Sequence, residues 1–262
     1  MLVDTHCHLG HKRLRPNVAA VLERARAAGV TKVVCATGDV PESVAAVELA
    51  RQYECVYCTA GVHPHEAANA GRDYLGLVEQ LVGDERNVAI GEIGLDFHYD
   101  FSPRPTQKRI FAEQLALAQR LGKAAVIHTR EAFEDTLAIV RDCLADARQV
   151  VFHSFTGDAS QARRALDLGA MVSFSGIVTF KKAVELRKAA GLVPDDRIMI
   201  ETDSPYLSPE PMRKMKINEP ANVAHVAACL AVVRNTSPER VAERTAANAA
   251  AFFGLDVDPQ EA

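Results

Sequence analysis

Tryptophan is missing from this 262-residue sequence, and aromatic residues make up only 6% against 48% hydrophobic residues. The core must therefore be built from Ala, Val, Leu and Ile. No apolar run approaches the ~20 residues that a membrane span needs, and the first run is interrupted from Asp4 to His8. A soluble, cytoplasmic protein without a secretory leader is the expectation. An excess of positive charge is lacking too. The formal net charge is −4, so contact with a polyanion has to come from a local basic patch. The six cysteines (7, 35, 55, 58, 143 and 229) are scattered, most of them inside apolar runs where Cys acts as a small hydrophobe. The one Cys-x-x-Cys pair, Cys55 and Cys58, does not open a helix and has no second pair to complete a zinc site, so it reads as structural. Gly-x-Ser-x-Gly, Gly-x-Gly-x-x-Gly and the Walker pattern are all absent, which removes the nucleophile-elbow, dinucleotide and P-loop chemistries. No Gly- or Pro-rich linker divides the chain.

What is present is an alternation. Apolar runs at Leu2–Leu9, Thr31–Gly38, Val56–His63, Val88–Gly94, Ala124–Arg130, Gln149–Phe155, Met171–Ile177 and Ile198–Asp203 read as strands buried on both faces of a parallel sheet. Between and after them lie segments of helical spacing: Val18–Ala28, Pro41–Gln52, Tyr74–Val82, Thr106–Leu121, Phe133–Asp146, Ala159–Leu168, Ala183–Ala190, Ala221–Val233 and Pro238–Phe253. Eight βα repeats in this length predict an α/β fold, a (β/α)8 TIM barrel forming one domain over residues 1–262. An open doubly wound sheet is the structural alternative.

Ionisable residues then fall where a buried strand gives out. His6 and His8 share one face of the first strand, in Asp4-Thr5-His6-Cys7-His8-Leu9. His63 ends the third, Glu92 lies in the fourth, His128 ends the fifth, His153 the sixth and Asp203 the eighth. Buried charge and imidazole are costly unless paired or bound to a metal, and barrel active sites are built at the C-terminal strand ends. A metal site there is therefore expected. Four His and two carboxylates exceed the ligands of one tetrahedral zinc, so two divalent ions are expected, with Glu92 between them. Mixed N/O donors accept Zn²⁺, Mn²⁺ or Mg²⁺. Asp203 is the best general base, and Glu201 is either a further inward carboxylate or one that orients a histidine. The basic residues Arg213, Lys214 and Lys216, with Lys181 and Lys182, suit phosphates or a solvated loop equally. Phe97 and Tyr99 suit either stacking on unpaired bases or capping the core.

Seven blocks in order resemble the TatD-type metal-dependent deoxyribonucleases. They are Asp4–Leu9, Gly61-Val62-His63-Pro64-His65, Gly91-Glu92-Ile93-Gly94-Leu95-Asp96, His128-Thr129-Arg130, His153-Ser154-Phe155-Thr156-Gly157, Glu201–Leu207 and Asn218-Glu219-Pro220. The resemblance implies an amidohydrolase-like barrel that hydrolyses phosphodiester bonds in DNA. It implies that His6, His8, Glu92, His128, His153 and Asp203 bind the metals, and that His63, His65 and Arg130 lie near the substrate. A 3′-to-5′ polarity rests on the resemblance alone. A single-stranded substrate is expected because a duplex is too wide to reach metals at the strand ends. The sequence departs from the family in having Ser154 where Cys is common, and Arg213-Lys214-Met215-Lys216 where Arg-Gly-Lys-Arg is usual. No membrane or obligate protein partner is implied. Two rival readings remain: a carboxylate-bridged hydrolase of esters, lactones or aminoacyl-tRNA, and a nucleic-acid-binding protein without turnover. Lysine-bridged relatives are disfavoured because no strand-end position carries Lys.

Overall fold

The structure, a computed structural model, describes residues 1–144 and 146–256. Strands and helices alternate: β1 (Leu2–Cys7), α1 (Val18–Ala27), β2 (Val30–Cys35), α2 (Val40–Gln52), β3 (Val56–Ala60), α3 (Tyr74–Val82), β4 (Asn87–Asp96) and α4 (Arg104–Leu121). The second half continues with β5 (Ala124–Arg130), α5 (Phe133–Cys143), β6 (Val150–Phe152), α6 (Ala159–Asp167), β7 (Met171–Phe174), α7 (Val184–Leu192), β8 (Ile198–Ile200), α8 (Val223–Val233) and α9 (Pro238–Phe253). The strands form one eight-stranded sheet in the order β1 to β8, each pairing given below being parallel. Consecutive parallel strands joined by helices are the connectivity of a (β/α)8 barrel.

Contacts cluster in two compact units. One holds residues 1–35, 153–167 and 171 onward. In it β1 pairs with β2 and β7 with β8. The first and last strands also meet: Asp203 N donates to His6 O at 2.8 Å, His8 N donates to Ser204 O at 2.7 Å, and Cys7 bridges Ser204 in parallel. The other unit holds residues 36–152 and 168–170, with β3, β4, β5 and β6 paired in sequence. The helices follow from local chemistry. Asp39 caps α2 by accepting the Glu42 N–H at 2.7 Å, and Ser237 caps α9 just ahead of Pro238.

The core is mainly aliphatic, as the composition requires, with Phe111, Phe152 and Phe174 as its largest fully buried side chains. Cys7, Cys35 and Cys58 are buried, Cys58 on β3. Among the described residues no helix is long and apolar enough to cross a membrane.

Six strands end earlier than expected. β1 stops at Cys7, β2 at Cys35, β3 at Ala60, β6 at Phe152, β7 at Phe174 and β8 at Ile200. His8, His63, His153 and Asp203 therefore stand just beyond the strands rather than on them. The chain there exchanges ladder hydrogen bonds for turns, and Ser154 and Asp203 take positive φ values of 41° and 55°. β4 instead runs longer than expected, through Asp96.

Candidate metal centre

Two strands carry an extra residue where a donor sits. On β1, Asp4 pairs with Val33 and Cys7 with Cys35, three steps against two, so the bulge falls at Thr5–His6. On β4, Ile90 pairs with Ala125 and Ile93 with Ile127, and the bulge falls at Gly91–Glu92. A bulge re-aims a side chain without ending the strand. Gly94 then lets β4 press against β5. Its φ is +139°, and a Cβ placed there would lie 2.0 Å from His128 O. A Cβ on Gly91 would lie 2.7 Å from Val126 Cβ. The glycines around Glu92 are thus required by strand contact.

In the first unit, His6, His8 and Asp203 converge. His6 Nε2 lies 3.3 Å from His8 Nε2 and 3.7 Å from Asp203 Oδ1, and His8 Nε2 lies 3.3 Å from the same oxygen. Donors about 2.1 Å from a tetrahedral centre are about 3.4 Å apart, so this triangle fits a divalent ion of zinc size. Burial pushes the Asp203 carboxyl up, but the His8 hydrogen bond and the nearby His6 and His153 rings outweigh it, and the net direction is down. His153 stacks on His6 with ring centroids 3.9 Å apart. Its Nδ1 lies 3.1 Å from Glu201 Oε1. Glu201 also accepts from Ser154 N and Ser173 Oγ, both at 2.6 Å. Glu201 is placed to orient His153, and it also groups with His6 and His153 as a third carboxylate–histidine donor set.

Behind this group, buried Asp4 ties β1 to the segment after β8. It accepts from Thr202 N at 2.8 Å, Thr202 Oγ1 at 2.5 Å and His6 N at 3.3 Å. Burial pushes its carboxyl up to about 8 against those hydrogen bonds. Asn218 fixes the following loop: its Nδ2 donates to Thr202 O at 3.0 Å and Tyr206 O at 2.7 Å. Glu219 is paired with Arg24 of α1 at 2.7 Å. The Asn-Glu-Pro block is thus a clasp on the loop. Arg213 lies over the Phe180 ring at 3.8 Å, so the basic run docks beside the segment carrying Lys181 and Lys182.

In the second unit, His63, Glu92 and His128 converge. Glu92 Oε1 lies 3.4 Å from His63 Nε2 and 2.9 Å from His128 Nδ1. Burial lowers His63 to about 4 despite the adjacent Glu92. Its ring is therefore neutral at pH 7, with a lone pair for a metal. Asp96 Oδ2 lies 3.0 Å from both His65 Nε2 and His128 Nε2, while Oδ1 accepts from His98 N at 3.0 Å and Tyr99 N at 2.9 Å. Burial pushes the Asp96 carboxyl up, yet the two histidines and the Tyr99 N–H leave it well below the usual carboxylate range. The His128 ring is thus held between two carboxylates, with Nε2 at Asp96 and Nδ1 at Glu92.

The sequence reading thus has its metal-site residues in two groups. His6, His8, His153 and Asp203 lie together in one unit, and Glu92 and His128 in the other, where His63 joins them. His65 lies one ring further out against Asp96, and Arg130 lies over Tyr99 at 4.7 Å. Asp96 escaped the candidate list, although it ends a buried strand and carries the same signal as the others. Phe97 is buried beneath the Arg104 guanidinium at 4.4 Å and caps the core, whereas Phe101, not singled out in sequence, is exposed beside Tyr99.

The strand order and these donor groups define a (β/α)8 barrel with histidine–carboxylate clusters at the C-terminal ends of its strands. A family model described as TatD related DNase matches residues 3–254, and the chain belongs to that family. It is 38% identical to the uncharacterized metal-dependent hydrolase YabD of Bacillus subtilis, over 98% of this chain and 100% of that one. It is 36% identical to the 3′-5′ ssDNA/RNA exonuclease TatD of Klebsiella pneumoniae, over 91% and 92%. The crystal structure of YjjV, a TatD homologue from Escherichia coli K12, superposes with a TM-score of 0.91 at 27% identity, covering 97% of this chain and 98% of that one.

Proposed function

We propose that this chain is a metal-dependent hydrolase that cleaves phosphodiester bonds in DNA, removing nucleotides from single-stranded 3′ ends. The observation that carries it is the His6–His8–Asp203 triangle, whose edges match those of a divalent-ion site. The kinship with a relative named as a 3′-5′ ssDNA/RNA exonuclease supports DNA as the substrate.

His6, His8 and Asp203, with the His153 imidazole set by Glu201, would hold one divalent ion, and Glu92 and His128 a second. Such ions polarise a phosphoryl oxygen and acidify water. The chain's own groups do the rest. Asp203, held ionised at the mouth of its unit, takes the proton of the attacking water on a carboxylate oxygen. Arg130 provides a fork of N–H donors suited to a phosphate, and His63 and His65 line the approach to Glu92.

The test is an end-labelled single-stranded oligonucleotide assay on chelated protein, before and after adding Mg²⁺, Mn²⁺ or Zn²⁺. A 5′ label should give a ladder shortening from the 3′ end, absent in Asp203→Ala. Cleavage of a closed circular single strand would overturn the exonuclease reading. No cleavage by metal-loaded protein would shift the function to carbonyl esters such as lactones or aminoacyl-tRNA.

A further inference from the structure

The second unit presents a paired aromatic surface that the reaction above does not use. Tyr99 and Phe101, on the loop between β4 and α4, are 48% and 65% exposed. Their rings stack at 5.2 Å with 15° between planes. Other aromatic side chains of the same unit, among them Phe97, Phe111, Phe133 and Phe152, are buried, so exposure is not the rule there. His65 meets both exposed rings edge-on, at 5.5 Å from Tyr99 and 4.8 Å from Phe101.

The loop is pinned at several points. Tyr99 N is held by Asp96, Ser102 Oγ donates to His65 O at 2.9 Å, and Gln107 Nε2 donates to Ser102 O at 2.8 Å. The aromatic pair is thus held in place before any ligand arrives, which lowers the ordering cost of binding. The Arg130 guanidinium over Tyr99 makes no ion pair among the described residues. A flat π surface with a cation at its margin and a donor cluster one ring away fits a nucleotide of an unpaired strand. A protein partner fits less well. The rings are bordered by the Asp100–Arg104 ion pair and the polar contact of His98 with Glu131, and two side chains fall far short of the ~800 Å² per partner of a stable interface.

We propose that Tyr99 and Phe101 form a stacking platform for an unpaired nucleobase whose adjoining phosphate is held by Arg130. The platform rests on the nuclease reading above and adds the basis of its strand preference. Stacking tolerates any base, because every base has a π face, but it rejects a base still paired in a duplex.

The experiment compares two labelled oligomers of equal length with slowly cleaved phosphorothioate linkages. One is an oligothymidylate and the other is abasic. Binding to the metal-loaded protein is followed by fluorescence anisotropy. The Tyr99→Leu/Phe101→Leu double variant should weaken oligothymidylate binding roughly tenfold or more while changing abasic binding by less than about twofold. Tyr99→Phe should bind like the parent. Both positions are exposed, and the Tyr99 backbone N–H remains in every variant. Equal weakening of both oligomers, or parent protein that binds both equally well, overturns the platform alone. Parent protein that binds neither overturns the nuclease reading with it.

Discussion

Glu201 Oε1 and His153 Nδ1 lie 3.1 Å apart, a contact that favours Nε2 as the nitrogen His153 would offer a metal. With Nδ1–H given to the carboxylate, the lone pair stands on Nε2. Glu201→Gln keeps the shape but removes the charge that raises the ring's basicity. Its affinity for the divalent ion should fall roughly 10- to 100-fold, as carboxylate partners of metal-binding histidines typically show. Competition with a chelating dye would measure it, and unchanged affinity would sever Glu201 from the metal centre.

Gly94→Ala should be severe. The new Cβ would meet the His128 carbonyl, so β4 and β5 must part, and the backbone already holds φ at +139°. A stability loss of about 3 kcal/mol or more is expected, read from urea unfolding at constant slope. Hydrolysis should drop with it, because the displaced strand carries His128.

Asn218→Ala should loosen the loop following β8. Removing the amide leaves the Thr202 and Tyr206 carbonyls without its two hydrogen bonds. A loss of about 2 kcal/mol is expected, together with faster protease cleavage between residues 204 and 217. A variant as protease-resistant as the parent would show that other contacts hold the loop.

Tyr74→Phe tests a contact remote from the clusters. Tyr74 Oη donates to Glu113 Oε2 at 2.5 Å and joins α3 to α4. Burial pushes the Glu113 carboxyl up, but the hydrogen bonds from Tyr74 and Arg109 overcome it and lower its pKa below 4.5. A depressed carboxylate stabilises the fold above its unfolded pKa, and that stability is lost as pH falls through its folded value. The variant should therefore be less stable by about 1–2 kcal/mol at pH 7. The gap should narrow as pH falls from the unfolded carboxylate value through the lowered folded one, as paired urea titrations would show. A gap constant with pH would place the loss in packing.

Much of this structure was legible in the sequence. Runs such as Ala124–Arg130 and Met171–Ile177 announced parallel strands because both of their faces are buried, and their count with the intervening helices gave the barrel. His6, His8, Glu92, His128, His153 and Asp203 stood out because polar side chains at the ends of such runs have no packing reason to be there. The two bulges were not legible, since an extra residue shows only against a partner strand. His63, expected near the substrate, has its ring beside Glu92 and His128. Phe101 was passed over because a loop aromatic has no periodicity to reveal which way it faces.

Asp96 spends one oxygen on two histidine rings and the other on the backbone of the loop that carries Tyr99. The imidazole of His128 and the aromatic loop are therefore fastened to a single carboxylate, and neither can shift far without pulling on the other. One buried carboxylate thus fixes both the ring beside Glu92 and the root of the aromatic loop.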